Sequence, residues 1–160
     1  YHGTAVMLAR EQFGLRGDLQ SDAASVTGLA AELRALPGVR FMRDPTRGGL
    51  ATVAHEIAES TGLGIELEEA GIPVNGPVQA VCEMLGFDPY FLACEGRVVA
   101  VVAPEAADEA QATWRSRPEG TRAALIGTVT EDGGRVVLRT KLGGTRLLEP
   151  LEDDPLPRIC

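Results

Sequence analysis

Apolar residues recur at helical spacing in several parts of the chain, and one segment shows the pattern most clearly. Its stripe consists of residues three or four positions apart: Leu50, Val53, Ala54, Ile57 and Ala58. Polar residues such as Thr52 and Glu56 fall on the opposite side. An amphipathic helix that starts near Leu50 and ends before Gly62 is therefore predicted.

The same spacing predicts four further helices. One runs from about Thr4 to Phe13, and another carries the apolar positions from Val26 to Leu33. A third has Pro77 in its first turn and a fourth opens at Pro104-Glu105, since proline is favoured in the first turn of a helix.

Runs of alternating or continuous apolar residues predict six strands. These are Val39–Met42, Ile65–Leu67, Val98–Val102, Ala124–Val129, Arg135–Arg139 and Thr145–Leu148. The unbroken run from Val98 to Val102 is expected to be a central strand. Asp132-Gly133-Gly134 is typical of a β-hairpin turn. Irregular alternation of helices and strands favours an α+β, layered fold with a mixed, largely antiparallel sheet.

Composition fits one typical domain and excludes several partners. The 160 residues are 44% hydrophobic, which is enough for a sizeable core. A net charge of -8 argues against nucleic acid or an anionic membrane surface as partner. No apolar run approaches the length of a membrane span.

Three cysteines, Cys82, Cys94 and Cys160, form neither a disulfide framework nor a zinc motif, because their number is odd and no two are close in sequence. Free thiols survive in a reducing compartment, so the cytoplasm is the expected location. Cys82 falls on an apolar helix face and is expected in the core.

The chain ends in Pro157-Arg158-Ile159-Cys160 after a segment without periodicity. We expect a domain over 1–150 and a flexible tail over 151–160 that carries a reactive thiol. Ten extended residues reach roughly 30 Å at about 3.3 Å each. The alternative is a frayed end that happens to finish in cysteine. The abrupt start at Tyr1, without methionine, predicts a piece of a longer chain.

The loop from Arg43 to Gly49 is a candidate anion site. Gly48 and Gly49 expose backbone amides at a helix start, and Arg47 adds a bidentate donor. Asp44 could hold a hydrated Mg²⁺ or orient an arginine, and Thr46 could cap the helix. An ordinary turn before a capped helix is the alternative. The loop lacks the Gly-Lys-Ser/Thr ending of a Walker A motif.

Two other ionisable residues have open interpretations. Glu95 lies before a predicted strand and beside Gly96, where it could act as a general base or be a solvated turn residue. His55 lies on the flank of its helix and is expected to be solvated.

Several motifs together resemble the C-terminal domain of the HypE family of hydrogenase maturation factors, within the AIR-synthetase-like superfamily. They are His2-Gly3-Thr4-Ala5, the stretch from Arg43 to Thr52, Glu95-Gly96, Gly143-Gly144-Thr145-Arg146 and Pro157-Arg158-Ile159-Cys160. The resemblance implies a second domain whose partner domain supplies most of the ATP and Mg²⁺ site and a homodimer interface.

The resemblance also implies a function and partners. A carbamoyltransferase, HypF, loads a carbamoyl group onto the terminal cysteine, and ATP-dependent dehydration converts it to a thiocyanate. The cyano group then goes to iron held by HypC and HypD for [NiFe]-hydrogenase. Carried over residue by residue, Cys160 is the carrier, and Glu95 in the Glu-Gly segment is the candidate for the base that dehydration needs.

The resemblance places the rim of the ATP-phosphate site at Arg43, Asp44, Thr46, Arg47, Gly48 and Gly49. Alone, the chain is expected to fold but not to catalyse, with no tightly bound cofactor. Two other functions stay open: a phosphate- or nucleotide-binding regulatory domain with an incidental cysteine, and an interaction module whose tail is a peptide ligand.

Overall fold

A computed structural model describes residues 1–11 and 19–151, which form five α-helices and six β-strands. The helices are α1 (His2–Glu11), α2 (Thr27–Arg34), α3 (Gly49–Thr61), α4 (Gly76–Leu85) and α5 (Ala107–Arg115). The strands are β1 (Val39–Arg43), β2 (Gly64–Glu68), β3 (Val99–Val102), β4 (Gly127–Thr130), β5 (Val136–Arg139) and β6 (Thr145–Leu147). Short 3-10 turns cover Pro89–Phe91, Pro104–Ala106 and Pro118–Gly120.

These strands belong to two sheets. β1 pairs with β3, and the other four strands form a sheet in the order β4-β2-β5-β6. The β2–β5 pairing is parallel and the other three are antiparallel, which confirms the prediction of mixed but largely antiparallel pairing in an α+β fold. Among the described residues, no helix is long and apolar enough to cross a membrane.

The main core lies between α3 and the four-stranded sheet. The stripe predicted for α3 is confirmed, because Val53, Ala54, Ile57 and Ala58 are buried there with Leu138 of β5. A second cluster joins α1 and α4 through Met7, Val78 and Cys82, so the prediction that Cys82 belongs to the core is also confirmed. Of the helix predicted from Thr4 to Phe13, the end at Phe13 lies outside the described residues.

The hairpin predicted at Asp132-Gly133-Gly134 is wrong. The turn does reverse the chain, but β2 lies between β4 and β5, and each of them pairs with β2 rather than with the other. The turn passes around the start of β2, where the Ile65 amide donates to the Arg135 carbonyl oxygen at 2.8 Å. A turn motif in the sequence predicts that the chain reverses direction, but it does not predict whether the two flanking strands pair with each other or with a third strand between them.

The prediction that Val98–Val102 forms a central strand is also wrong. β3 has one partner, β1, in a two-stranded sheet. Val99 and Val101 pack against the main core, and every residue of β3 is half-buried. An apolar run indicates that both faces of a strand are covered, which does not require two neighbouring strands.

The antiparallel register of β1 and β3 positions the candidate site. Arg43, the last residue of β1, is paired with Val99, the first residue of β3. The loop that follows β1 and the segment that precedes β3 therefore lie at the same end of this sheet. Two regions about 50 residues apart in sequence become neighbours.

Gly49, the first residue of α3, has a backbone conformation and a packing environment that exclude a side chain. Its φ is +63°, and a Cβ atom would lie 2.5 Å from the Tyr90 carbonyl oxygen and 2.7 Å from that of Leu92. We expect Gly49→Ala to lower the free energy of unfolding by roughly 2–5 kcal/mol, the left-handed strain plus the overpacking. Urea denaturation measures this loss.

Gly62 provides the matched control, because its φ is +73° but no atom of the described residues lies within 4 Å of the position that a Cβ would take. Gly62→Ala should cost about 1–2 kcal/mol from backbone strain alone. Equal losses in the two variants would contradict the close backbone contact at Gly49.

Candidate functional site

The loop 43–49 and the segment around Glu95 are tied together through the backbone. The Cys94 amide donates to the Pro45 carbonyl oxygen at 3.0 Å, which links the residue before Glu95 to the centre of the loop. The first turn of α3 packs on the carbonyl groups of Tyr90 and Leu92, a few residues upstream. The structure thus brings the two predicted site segments together.

The end of the loop forms an unusual start for α3. Gly48 is the N-cap residue in left-handed conformation, and within residues 1–11 and 19–151 no side chain caps the helix. A Cβ at Gly48 would overlap the Thr52 hydroxyl. The prediction that Thr46 caps the helix is wrong, because Gly48 is the N-cap residue and no helix amide donates to the Thr46 hydroxyl, which itself donates to the Asp44 carboxylate. The first-turn amides consequently have no side-chain acceptor within this part of the chain.

Asp44 is exposed at the start of this loop. The Thr46 hydroxyl, with the backbone amide of Asp44 itself, lowers the pKa of the Asp44 carboxyl below its ordinary value. The carboxylate is therefore ionised at neutral pH, and it opposes a bare anion while suiting a cation or an arginine.

The two arginines of the loop have different surroundings. Arg43 forms an ion pair with Glu56 of α3. Arg47 is exposed, and among the described residues no carboxylate lies within ion-pair distance of its guanidinium. Of the two, Arg47 is available to an incoming phosphate without first breaking an ion pair.

A cavity of about 300 Å³ lies beside this loop. Its wall includes Arg47 and Gly48 from the loop, His55 from α3, and Pro150 and Leu151, the last residue of the domain and the first residue of the C-terminal tail. The tail therefore leaves the folded domain next to the candidate anion loop. Cys160 itself, with the rest of the tail after Leu151, lies outside the described residues.

Glu95 is partly exposed and lies near a histidine. The distance from its Oε1 to His2 Nε2 is 4.0 Å, and His2 Nδ1 is 2.9 Å from the Ser21 hydroxyl. The side chain retains about a third of its accessible surface. A carboxylate that is open to solvent and near an imidazole can accept a proton and pass it on.

Asp22 fixes the backbone around Glu95. Its carboxylate accepts hydrogen bonds from the amides of His2 (3.0 Å) and Glu95 (3.3 Å) and from Nε of Arg97 (2.9 Å). Gly96 packs so closely on the Asp22 carbonyl that a Cβ would overlap it. Burial raises the pKa of the Asp22 carboxyl, while the hydrogen bonds from the Glu95 amide and Arg97 lower it.

The two described cysteines are poor nucleophiles. Burial raises the pKa of both the Cys82 thiol and the Cys94 thiol, so each stays protonated at neutral pH. Cys82 lies in the core and Cys94 is half-buried. Neither thiol is activated by its surroundings.

A larger cavity of about 430 Å³ borders the same region. Pro45, Cys94 and Gly96 line one side of it, and Trp114 lies among its other, mostly apolar residues. The Arg97 guanidinium stacks on the Tyr1 ring at 4.2 Å. Glu95 lines neither cavity. The smaller cavity contains Arg47 of the loop, so we assign the charged chemistry to the loop 43–49 and to that cavity.

Sequence reasoning missed three residues of this region. Asp22 lies in a polar stretch without periodicity, and no signal in the sequence indicated its three contacts. His2 could not be judged from its position. The prediction that His55 is solvated is wrong, because its ring is half-buried and hydrogen bonded to the backbone of Leu148.

Comparison with known proteins gives a family and close relatives. Residues 1–139 match the family described as "AIR synthase related protein, C-terminal domain". Carbamoyl dehydratase HypE of Cupriavidus necator is 47% identical over 99% of this chain, which covers 46% of that relative. The Escherichia coli protein of the same name is also 47% identical over 99% of the chain, which covers 47% of it. The chain spans about half the length of the curated relatives it matches.

Solved structures give the same result. A crystal structure of Escherichia coli HypE, a hydrogenase maturation protein, matches with a TM-score of 0.92 and 45% identity, covering 99% of this chain and 49% of that one. A HypE–HypF complex matches 96% of this chain and 49% of that one (TM-score 0.88, 39% identity). A HypE structure in complex with ATP matches 96% of this chain and 48% of that one (TM-score 0.88, 37% identity). The fold and the sequence agree, and the chain belongs to the AIR synthase related proteins as an example of their C-terminal domain.

Proposed function

We propose that this chain is the cysteine-bearing half of an ATP-dependent carbamoyl dehydratase that serves hydrogenase maturation. The observation that carries the proposal is the meeting of three separate segments: the loop 43–49, the Glu95 segment and the exit of the tail. Relatives named carbamoyl dehydratase HypE, 47% identical across nearly the whole chain, support it.

The proposed reaction starts from a carbamoyl group carried as a thiocarbamate on the sulfur of Cys160. ATP transfers its γ-phosphoryl group to the carbamoyl oxygen, which becomes a good leaving group. Loss of one N–H proton to the base, and departure of the phosphate with the other proton, then leave a sulfur-bound C≡N group. The products are the protein thiocyanate, ADP, hydrogen phosphate and one proton, so the oxygen of the carbamoyl group ends in the phosphate.

Each residue has a role in this proposal. Arg47, with the first-turn amides beyond Gly48 and Gly49, stabilises negative charge on the phosphates, and Arg43 contributes after exchange from Glu56. Glu95 accepts a proton from the carbamoyl nitrogen, and the contacts of Asp22 hold its backbone in place. Cys160 carries the group between sites.

A magnesium ion fits this loop as part of a larger site. Mg²⁺ is usually held by one or two carboxylates together with water and substrate phosphates. Asp44, ionised and exposed, with the Thr46 hydroxyl beside it, would supply the chain's contribution. When bound, the ion neutralises charge on the phosphates. Within the described residues no cluster of three metal-ligating side chains exists, so other ligands come from ATP and from elsewhere.

Partners follow from the carrier chemistry. A carbamoyltransferase must load Cys160, and the solved HypE–HypF complex supports HypF in that role. HypC and HypD are the proposed receivers of the cyano group, and a homodimer is the proposed assembly. Full activity needs the half of the relatives that this chain does not span, where most of the ATP site is expected, so the chain alone should fold without dehydrating.

Replacement of the terminal cysteine tests the carrier role. In the protein that joins this chain to its ATP-binding half, Cys160→Ala should abolish the thiocyanate on the C-terminal peptide, because no other described thiol is activated. Mass spectrometry after incubation with HypF, carbamoyl phosphate and ATP detects it. Cys94→Ala is the control and should keep the modification. A thiocyanate that persists without Cys160 would refute the carrier assignment.

Removal of the Arg47 side chain tests the phosphate role of the loop. Arg47→Ala should weaken ATP binding by roughly 1.5–3 kcal/mol, the range for hydrogen bonds to a charged group. Arg34→Ala, an exposed arginine on α2, removes the same charge and should leave the affinity unchanged. Titration calorimetry measures both variants. Equal ATP affinity in Arg47→Ala and the unmodified protein would exclude the loop from the site.

Neutralisation of Glu95 tests the base. Glu95→Gln should slow conversion of preloaded carbamoyl-Cys160 by roughly 100-fold or more, the contribution of general base catalysis. ATP affinity should not change, since Glu95 is not in the phosphate loop. Single-turnover mass spectrometry follows the reaction, with Glu105→Gln as an exposed control. A full rate in Glu95→Gln would assign the proton to another acceptor.

A further inference from the structure

His55 makes one specific contact with the backbone where the tail leaves the domain. Its Nε2 lies 2.9 Å from the carbonyl oxygen of Leu148, 93 positions later in the chain. A carbonyl oxygen can only accept, so Nε2 carries a proton and donates. The imidazole on α3 therefore holds the chain beyond β6.

Leu148 anchors the tail root, by which we mean residues 148–151, where the chain leaves the domain and the tail begins. Its side chain is 1% exposed and belongs to the main core. Its amide donates to the Val136 carbonyl oxygen at 2.9 Å, and its own carbonyl accepts from His55. Glu149 and Pro150, which follow, are exposed. Cys160 lies twelve positions after Leu148, and this length of chain can span about 40 Å when extended.

The anchor and the candidate anion loop share one helix. Gly48 caps the start of α3, and His55 lies two turns further along it. Arg47, Gly48, His55 and Leu151 line the same cavity. Because α3 is buried against the sheet, the hydrogen bond ties the tail's exit to the same helix that begins at the loop.

We propose that His55 is a positioning residue that sets the point and direction from which the tail presents Cys160 to the phosphate loop. This inference rests on the proposed function. Without the donor, the Leu148 carbonyl loses its partner and the exit direction is no longer fixed. A tethered group that is less well placed reacts more slowly even when its tether has the same length.

Kinetics of the dehydration step provide the first test. In the protein that joins this chain to its ATP-binding half, His55→Leu removes the donor at similar volume, and His55→Gln keeps an N–H of similar reach. With Cys160 carbamoylated beforehand and ATP saturating, His55→Leu should slow thiocyanate formation about tenfold, a loss far below the ~100-fold that misplacement can cause. Carbamoyl loading and ATP affinity should not change, and His55→Gln should recover most of the rate.

Ser60→Ala, an exposed position on the same helix, is the control and should keep the full rate. A normal rate in His55→Leu would overturn the inference. A loss that His55→Gln fails to rescue would also overturn it, because the effect would not come from the donated hydrogen bond. Absence of thiocyanate in the unmodified protein would instead overturn the proposed function.

A second measurement tests the anchor without any catalysis. In this chain, His55→Leu should raise the hydrogen-exchange rate of the Leu148 amide about tenfold, because the tail root opens more often. The amide of Leu67 in β2 should exchange as before. An unchanged exchange rate at Leu148 would show that His55 does not hold the tail. An equal rise in exchange rate at Leu148 and Leu67 would indicate global destabilisation instead. Either result overturns the inference.

Discussion

The candidate site depends on the contact between the first turn of α3 and the backbone of Tyr90–Leu92. At Gly49 these two segments of backbone approach so closely that no side chain fits between them. This contact places the start of the most deeply buried helix against the segment that leads to Glu95. The Cys94 amide, bonded to the Pro45 carbonyl oxygen, extends the same connection into the loop. A shift of α3 would separate both segments.

The close packing of α3 suits the proposed chemistry, in which the origin of the tail is held in place and the carrier thiol at its end moves between sites. Ala51, Val53, Ala54 and Ala58 are almost fully buried, so the helix cannot tilt without loss of core packing. Its first turn presents the loop, and its middle holds the tail exit through His55. A carrier thiol needs freedom at its end and a constant origin, and this arrangement supplies the constant origin.

The sequence was sufficient for the elements whose signal is local. The apolar stripe of α3 and its glycine boundaries needed no long-range information, and the motifs around Arg43 and Cys160 were specific enough to indicate a family. Pairing of strands was not predictable in the same way: β2 lies between β4 and β5, although a turn of hairpin type connects them. That choice depends on which surface the four-stranded sheet buries, which no single segment encodes.

The sequence also failed to predict contacts between polar residues that lie far apart along the chain. Asp22 binds groups more than 70 positions away, and His55 binds Leu148 across 93. Each is a single polar residue without a periodic pattern, and apart from the Arg97 side chain its partners are backbone groups that any sequence offers. Thr46 shows that short-range polar contacts can be mispredicted too. The sequence offered its hydroxyl a helix amide and the Asp44 carboxylate as partners, and in the structure it bonds to Asp44.

The central claim is that the tail, anchored beside the loop, delivers Cys160 to the phosphates of ATP. A nitroxide on Cys160, in a protein with its ATP-binding half and with Cys82 and Cys94 replaced by alanine, tests it directly. The account predicts strong paramagnetic broadening of the γ-phosphorus NMR signal of a bound, non-hydrolysable ATP analogue, which disappears on reduction of the nitroxide. An unbroadened γ-phosphorus signal with the analogue fully bound would contradict the account.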